Sequence, residues 1–178
     1  MLSFLIQRVE KLGEGIVIGP EDAAVDAQGL IYTANQDGWI KRMDPNGSWE
    51  NWKNVGGFPL GLTASKSGEI LVCEPTQGLL KVGEKVSLLA SEVEGTEIRL
   101  ADAVVEGSDG SIYFSDASTK YGYDKWVLDV LEAKPRGRLL KYDPKTQKTT
   151  VLLDDLAFAN GVALSLNEDF ILVCETWK

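Results

Sequence analysis

The side chains able to do chemistry in this 178-residue chain are carboxylates, amides, hydroxyls, amines and thiols, because it contains no histidine. That absence excludes Ser-His-Asp and Cys-His catalytic units, a histidine dyad, and every metal site ligated by histidine. Acid–base catalysis would therefore fall to Asp, Glu, Lys, Tyr or Cys. Any bound metal would be a hard cation with oxygen ligands, which means calcium or magnesium.

Composition narrows the classes of partner. The chain has 27 acidic and 18 basic residues, a formal net charge of −9. This balance argues against nucleic acid and anionic membranes as partners, because both bind a basic face. No stretch approaches the roughly 20 apolar residues of a membrane span. The N-terminal stretch Met1 to Leu5 is too short for a signal peptide.

The elements that must position the reactive side chains form an internal repeat. Each repeat has a short apolar strand, a polar turn and a second β-rich strand, and further strands follow in most repeats. The turn glycines Gly29, Gly68 and Gly110 recur at intervals of 39 and 42 residues. Four antiparallel strands per repeat of about 40 residues are typical of a β-propeller blade.

The predicted fold is therefore all-β, a partial β-propeller over residues 1–178 of about three and a half blades. Its units begin near residues 19, 58, 99 and 158. The chain stops after the second strand of the fourth unit, and an unclosed ring would leave sheet edges unpaired. We expect the chain to be the first half of a longer propeller, truncated or alternatively spliced.

The third unit contains an insertion, residues 118–135. Within it, Asp124 to Ala133 carries apolar residues at helical spacing, and the Pro135-Arg136-Gly137 sequence ends the helix. A helix at this place would cover one face of the disc. The sequence leaves two interpretations open, a packing cap and a lid over a pocket.

Two consecutive repeat positions carry oxygen-bearing side chains. The first position is occupied, unit by unit, by Glu21, Leu60, Ala101 and Asn160, and the second by Asp22, Gly61, Asp102 and Gly161. Because first strands line the central channel of a propeller, we expect each set to form a ring at the channel mouth. A hard cation on the axis would take six to eight oxygens.

Each of these residues also has an ordinary structural interpretation. Asp22 and Asp102 could accept backbone N–H bonds and join neighbouring blades. Glu21 could be a solvated carboxylate at the channel mouth, and Asn160 a turn residue in an Asn-Gly pair. The sequence alone leaves these alternatives open.

Several motifs together resemble the strictosidine synthase-like family of plants, over essentially the whole chain. They are Gly19-Pro20-Glu21-Asp22, Asp37-Gly38-Trp39-Ile40, Ile112 to Asp116, Gly137 to Asp143 and Phe158-Ala159-Asn160-Gly161-Val162. The same superfamily holds the adipocyte plasma membrane-associated protein, the paraoxonases and the gluconolactonases. The resemblance implies a six-bladed propeller in the full-length family.

The resemblance also implies roles for the ring residues. In the paraoxonase and gluconolactonase branches, residues matching Glu21 and Asn160 hold a catalytic calcium. Those branches have an Asn where this chain has Ala101, and an Asp from a later blade. The paraoxonases hold a second, structural calcium with carboxylates that match Asp22 and Asp102.

Three functions remain open. The Asn160-Gly161 pair favours a calcium-dependent hydrolase of lactones or esters in the full-length parent. Strictosidine synthase itself condenses an amine with an aldehyde in a Pictet–Spengler reaction in alkaloid biosynthesis, using a glutamate from a later blade and no metal. The third alternative is a non-catalytic fragment or binding module that self-associates through its open sheet edges.

Cellular context comes from the resemblance and from single residues. The resemblance implies the secretory or endomembrane route and the vacuole. Asn46-Gly47-Ser48 is a sequon for N-glycosylation at Asn46. Cys73 and Cys174 occupy the same strand position in two non-adjacent units, so we expect small core residues rather than a disulfide.

Overall fold

A computed structural model describes residues 10–177, and the Met1 to Leu5 stretch lies outside the described residues. Almost every element is a strand. The strands are β1 (Pro20–Val25), β2 (Ile31–Asn35), β3 (Trp39–Met43), β4 (Trp49–Asn54), β5 (Leu62–Ala64), β6 (Ile70–Glu74), β7 (Gly78–Val82), β8 (Val86–Ala90), β9 (Glu92–Val93), β10 (Thr96–Glu97), β11 (Ala101–Glu106), β12 (Ile112–Asp116), β13 (Gly137–Asp143), β14 (Lys148–Leu156), β15 (Ala159–Leu164) and β16 (Ile171–Glu175).

Among the described residues, the strands form three four-stranded antiparallel sheets, a two-stranded sheet that begins a fourth blade, and a separate two-stranded hairpin. Their orders are β1-β2-β3-β4, β5-β6-β7-β8, β11-β12-β13-β14 and β15-β16. Every connection within a sheet joins sequence neighbours, as in a propeller blade. This architecture confirms the predicted all-β propeller with three and a half blades. The small hairpin β9-β10 was not predicted from the sequence.

Tight turns between the first two strands of each sheet set the register. In the second and third sheets the turn ends at Gly68 and Gly110, with φ of 89° and 84°. Left-handed backbone of this kind favours glycine. The fourth sheet makes its turn without glycine, and Glu168 takes the positive φ of 56° instead. The hairpin is therefore the feature that recurs from sheet to sheet, whereas the residue that takes the positive φ in its turn differs.

The core lies between successive sheets. Strand β6 is buried along its whole length, from Ile70 to Glu74, because sheets cover both of its faces. One cluster between the first and second sheets centres on Ile40 and Val72, and another between the second and third on Leu79 and Phe114. Each blade thus buries its apolar faces against its neighbours, which fixes the relative positions of the first strands.

The insertion in the third unit forms a short helix, as predicted. A 3-10 turn, Tyr123–Lys125, leads into α1, Trp126–Glu132, between β12 and β13. The helix ends at Ala133, whose φ of 49° closes it with a left-handed cap.

The two cysteines differ in environment. Both are free thiols, Cys73 fully buried and Cys174 exposed. The core prediction is confirmed for Cys73 and wrong for Cys174. The reason is that β16 belongs to a two-stranded sheet, and no described residue covers the face from which the Cys174 side chain projects.

Candidate functional site

A cavity of about 320 Å³ lies where the first strands of the sheets begin. Three of the four residues at the first ring position line it, namely Glu21, Leu60 and Asn160. Asp102, from the second ring position, lines it too. The structure thus brings these residues of the four repeat units, up to 139 positions apart in the chain, to one cavity.

Asp102 is the buried acid of the cavity, with only 4% of the residue exposed. Burial raises the pKa of its carboxyl from 3.8 to about 7, and the negative charges of Glu21 and Asp22 add to the effect. The side-chain amide of Asn160 donates a hydrogen bond to Asp102 Oδ2 over 3.3 Å. An acid with a pKa near neutrality can take up or release a proton under ordinary conditions.

Glu21 lies at the rim of the cavity and keeps contact with solvent. Partial desolvation raises the pKa of its carboxyl, and the neighbouring Asp22 carboxylate raises it further. Glu21, Asp22 and Asp102 therefore form a group of mutually repelling acids. A bound cation would relieve this repulsion.

Asp22 makes the contacts that the structural interpretation requires. Its Oδ2 accepts a hydrogen bond of 3.0 Å from the backbone N–H of Leu62, and its Oδ1 accepts one of 2.7 Å from Ala23. The first of these bonds connects the first sheet to the second. Asp22 does not line the cavity that holds Asp102.

The remaining ring positions provide no side-chain oxygen. Ala101 is fully buried, and its methyl group carries no oxygen. Gly61 instead donates its backbone N–H to the Asp102 carbonyl oxygen over 2.6 Å, which joins the second and third sheets. Residues at the second ring position therefore also connect neighbouring blades through hydrogen bonds.

The residues at hand fit a hard cation only in part. Glu21, Asp102 and Asn160 offer three oxygen-bearing side chains at one cavity, whereas calcium takes six to eight oxygens. Within residues 10–177, no group of three or more Cys, Asp or Glu side chains is placed to hold a metal ion. A cation bound here would draw its other ligands from backbone, solvent, substrate or other chain segments.

The rest of the cavity is apolar and largely aromatic. Its walls are formed by Leu100, Tyr123, Trp126 and Phe158, with Thr176 at one side. The rings of Trp126 and Phe158 have centroids 6.2 Å apart, and Tyr123 stacks on Phe58 at 4.8 Å. A small organic molecule with an apolar portion matches such a wall.

Sequence reasoning did not identify these wall residues. Two signals pointed toward them: Trp126 lies in the insertion interpreted as a cap or lid, and Phe158 stands two residues before Asn160. The structure shows that the helical insertion contributes to the cavity wall through Trp126 and Tyr123.

The sequon residue Asn46 lies far along the first sheet, in the turn between β3 and β4. It is exposed, and its Oδ1 accepts a hydrogen bond from the backbone N–H of Ser48. Glycosylation at Asn46 stays a prediction. Among residues 10–177 there is also no helix with the length and hydropathy needed to cross a membrane.

Comparison with protein-family models gives two matches. The model described as strictosidine synthase matches residues 102–178, and the strictosidine synthase-like N-terminal model matches residues 6–43. The first match includes Asp102 and Asn160, and the second includes Glu21 and Asp22.

Individual relatives agree. The chain is 42% identical over 176 residues to strictosidine synthase-like protein 4 of Arabidopsis thaliana, covering 94% of this chain and 48% of that protein. It is 36% identical over 191 residues to the adipocyte plasma membrane-associated protein of Mus musculus, covering 96% of this chain and 46% of the relative. The chain spans about half the length of the relatives it matches.

Solved structures share the fold at low sequence identity. A gluconolactonase from Xanthomonas campestris superposes with a TM-score of 0.75 at 16% identity, covering 90% of this chain and 56% of that one. Virginiamycin B lyase from Staphylococcus aureus superposes with a TM-score of 0.62 at 11% identity, covering 88% and 48%. These likenesses concern the propeller fold alone.

Proposed function

The chain belongs to the strictosidine synthase-like family, and from that premise we propose that its cavity contributes to the active site of a metal-dependent lactone or ester hydrolase. One observation carries the proposal. Glu21, Asp102 and Asn160, which come from three different sheets and carry side-chain oxygens, line a single cavity with an aromatic wall. The shared fold with gluconolactonases supports the same reaction class.

The proposed metal is calcium, which Glu21 and Asn160 of this chain would help to hold. When bound, it would polarise an ester or lactone carbonyl and stabilise developing negative charge. The protein's own residues have separate tasks. Trp126, Phe158 and Tyr123 would bind the apolar part of the substrate and exclude water from one side of it.

Asp102 would hold or release a proton at its carboxyl oxygens. Its pKa of about 7 leaves both protonation states populated near neutral pH. Asn160 donates to Oδ2, so the amide fixes which oxygen faces β15. A cation bound at Glu21 would lower the pKa of Asp102. It would offset the repulsion between the Glu21 and Asp102 carboxylates, which helps to raise this pKa in the metal-free protein.

An amine–aldehyde condensation is the second candidate. The specific observation in its favour is that aromatic rings and two carboxylates line the same cavity, because such a cavity can bind an organic ammonium ion. Metal dependence separates the candidates: the hydrolase needs a cation at Glu21 and Asn160, whereas the condensation needs none.

The test is calorimetric titration of the 178-residue chain with calcium chloride, with thermal melts recorded alongside. We expect saturable binding and a higher melting temperature in calcium than in EGTA. Glu21→Gln should weaken binding at least about tenfold, because it removes a charged ligand from the site. Asp154→Asn is the matched control, since it removes one exposed acid outside the cavity.

Activity is measured separately, as hydrolysis of phenyl acetate and δ-valerolactone in calcium or EGTA. Hydrolysis that EGTA abolishes and Glu21→Gln impairs would support the proposal. Absence of calcium binding, with a cooperative melt that calcium does not shift, would contradict the metal-dependent hydrolase. Condensation of tryptamine with an aldehyde in EGTA, followed by mass spectrometry, would then decide for the second candidate.

A further inference from the structure

The residue that α1 buries most deeply is not one of its apolar residues, although these are the ones that its sequence pattern would place against the protein. Of its seven residues, only Asp129 is buried, with no exposed surface. Its large apolar side chains are only partly buried, with Trp126 44% exposed and Leu131 73% exposed. Burial of apolar area on α1 is therefore incomplete, and the one fully buried side chain of the helix is polar.

Asp129 connects the helix to the body of the third sheet. Its Oδ2 accepts a hydrogen bond from the hydroxyl of Ser118, which lies two residues after β12 and is also fully buried. The Arg136 guanidinium lies near the same oxygen, with Nη1 at 3.9 Å. These contacts link the helix to both ends of the insertion.

A buried carboxylate of this kind is costly. Among residues 10–177, Asp129 Oδ1 has no hydrogen-bonding partner, and neither has Nη1 of Arg136. An apolar residue at the same place would avoid the cost of desolvating a charge. The arrangement therefore defines a position for the helix more than it stabilises the fold.

That position matters for the cavity. Trp126 begins α1, one turn before Asp129, and forms the cavity wall together with Phe158. Trp126 is 44% exposed, so the helix lies between the cavity and solvent. A movement of α1 would shift Trp126 relative to Asp102 and Asn160, which line the same cavity.

We propose that Asp129 is a positioning residue, whose buried bond to Ser118 clamps α1 over the cavity and places Trp126 as the wall of its entrance. The inference rests on the proposed function only in treating the cavity as the ligand site. Of the two interpretations of the insertion, it favours the lid, because a packing cap would bury its apolar side chains more completely than α1 does.

A second set of contacts braces the exposed side of the helix. Glu132 accepts hydrogen bonds from Lys120 Nζ at 2.6 Å, from the Tyr121 hydroxyl at 2.7 Å and from Arg136. These bonds lie at the surface, where solvent competes for each partner. We expect them to matter less for the clamp than the buried Ser118–Asp129 bond.

The experiment measures local opening by limited trypsin digestion at the Lys125–Trp126 bond. Asp129→Ala should raise the cleavage rate there about tenfold, because a lost buried hydrogen bond increases the open population by that order. Cleavage at Lys145, in the turn between β13 and β14, is the internal reference. Leu131→Ala, an exposed change on the same helix, should leave both rates unchanged.

Asp129→Asn provides the conservative comparison. The amide keeps the volume of the side chain and one acceptor oxygen for Ser118, so its rate should stay within about threefold of the parent. Binding of Nile red, a neutral apolar dye, reports on the cavity itself. We expect weaker binding for Asp129→Ala than for Asp129→Asn.

Two results would overturn the inference. One is an unchanged rate at Lys125 in a folded Asp129→Ala protein. The other is faster cleavage at Lys125 and Lys145 alike, which would make Asp129 a residue of general stability. If Asp129→Ala does not fold, Ser118→Ala removes the same bond from the other side, and an unchanged rate at Lys125 would again overturn the clamp.

The calcium titration distinguishes this inference from the proposed function. Glu21 and Asn160 lie on β1 and β15, outside the insertion. Failure of calcium binding with the expected digestion pattern would remove the hydrolase proposal and leave the clamp. Calcium binding with a digestion pattern that Asp129→Ala leaves unchanged would remove the clamp and leave the hydrolase proposal.

Discussion

The side-chain amide of Asn160 donates to the carboxylate of Asp102 over 3.3 Å, across 58 positions of sequence. This contact joins the first strand of the fourth sheet to that of the third, at the edge of the cavity. Asp102 is thus both a connection between blades and the most buried acid at the candidate site. Its ionisation and its contacts between blades can be measured separately.

The stability of the metal-free protein should fall as pH rises through the range where Asp102 ionises. In the folded chain the pKa of Asp102 is about 7, against 3.8 ordinarily, so the folded state keeps a proton that the unfolded state has released. Between about pH 4 and pH 7 the unfolded state is therefore favoured progressively. The full difference is on the order of 4 kcal/mol.

Asp102→Asn should remove the loss of stability that ionisation of Asp102 causes between about pH 4 and pH 7. The variant should therefore be more stable than the parent at pH 8 in EGTA. Urea denaturation of both proteins from pH 4.5 to pH 8 measures it, and the difference between them isolates Asp102 from other acids. Parallel pH profiles for parent and variant would contradict the prediction.

Asp22→Ala should lower the free energy of unfolding by about 1–3 kcal/mol, because the buried Leu62 N–H loses its acceptor on the neighbouring sheet. Asp22→Asn keeps one acceptor oxygen and should cost less. Urea denaturation gives both values. If Asp22→Ala were as stable as the exposed-site variant Asp154→Ala, the bond between the first two sheets would have no measurable weight.

The two glycines at the second ring position should respond very differently to alanine. A Cβ on Gly61 would stand 2.4 Å from the Asp102 carbonyl oxygen and 2.6 Å from the Ala103 Cα, both main-chain atoms. Gly61→Ala should therefore destabilise by about 3 kcal/mol or prevent folding, because blades would have to separate.

Gly161→Ala is the matched control for that change. Its nearest neighbour would be the Cys174 Sγ at 3.7 Å, an ordinary contact. Stability should stay within about 0.5 kcal/mol of the parent. Chemical denaturation of both variants measures the contrast, and equal losses would show that close packing at Gly61 is not what joins the sheets.

Arg138→Leu should destabilise by about 3–5 kcal/mol, because it leaves Asp116 buried without its cation. Arg138 donates to Asp116 Oδ2 through Nη2 at 2.6 Å and Nε at 3.1 Å, while the other oxygen accepts from Leu100 N–H. Burial already raises the pKa of Asp116, and Arg138 counteracts this rise.

The double variant Arg138→Leu with Asp116→Asn should recover much of that loss, since a neutral amide still accepts from Leu100. A double-mutant cycle of unfolding free energies, measured by urea denaturation, gives the coupling free energy between Arg138 and Asp116. Additive losses would mean that the ion pair contributes little beyond its separate parts.

Local features of this protein could be predicted from its sequence. Each blade is a series of hairpins between sequence neighbours, so turn residues such as Gly68 and Gly110 report on contacts only a few positions away. The repeat then places equivalent residues at equivalent points. For this reason the repeat positions of Glu21 and Asn160 sufficed to assign both to one ring, and both line one cavity.

Only the tertiary structure determined how deeply those side chains are buried and which charges surround them. The burial that raises the pKa of Asp102 comes from packing between sheets, which no single repeat contains. The same holds for the exposed Cys174, whose strand has the pattern of the buried β6 but no covering sheet among the described residues.

The orientation of α1 is the clearest case. Its helical spacing predicted the helix, yet its one fully buried residue is Asp129, which Ser118 and Arg136 contact. Periodicity records which residues share a face of a helix, and long-range contacts determine which face is turned to the protein. The sequence by itself determined the blades and the ring of candidate ligands. The packing between blades determined the charge environment of those residues, the aromatic wall of the cavity and the place of α1 beside it.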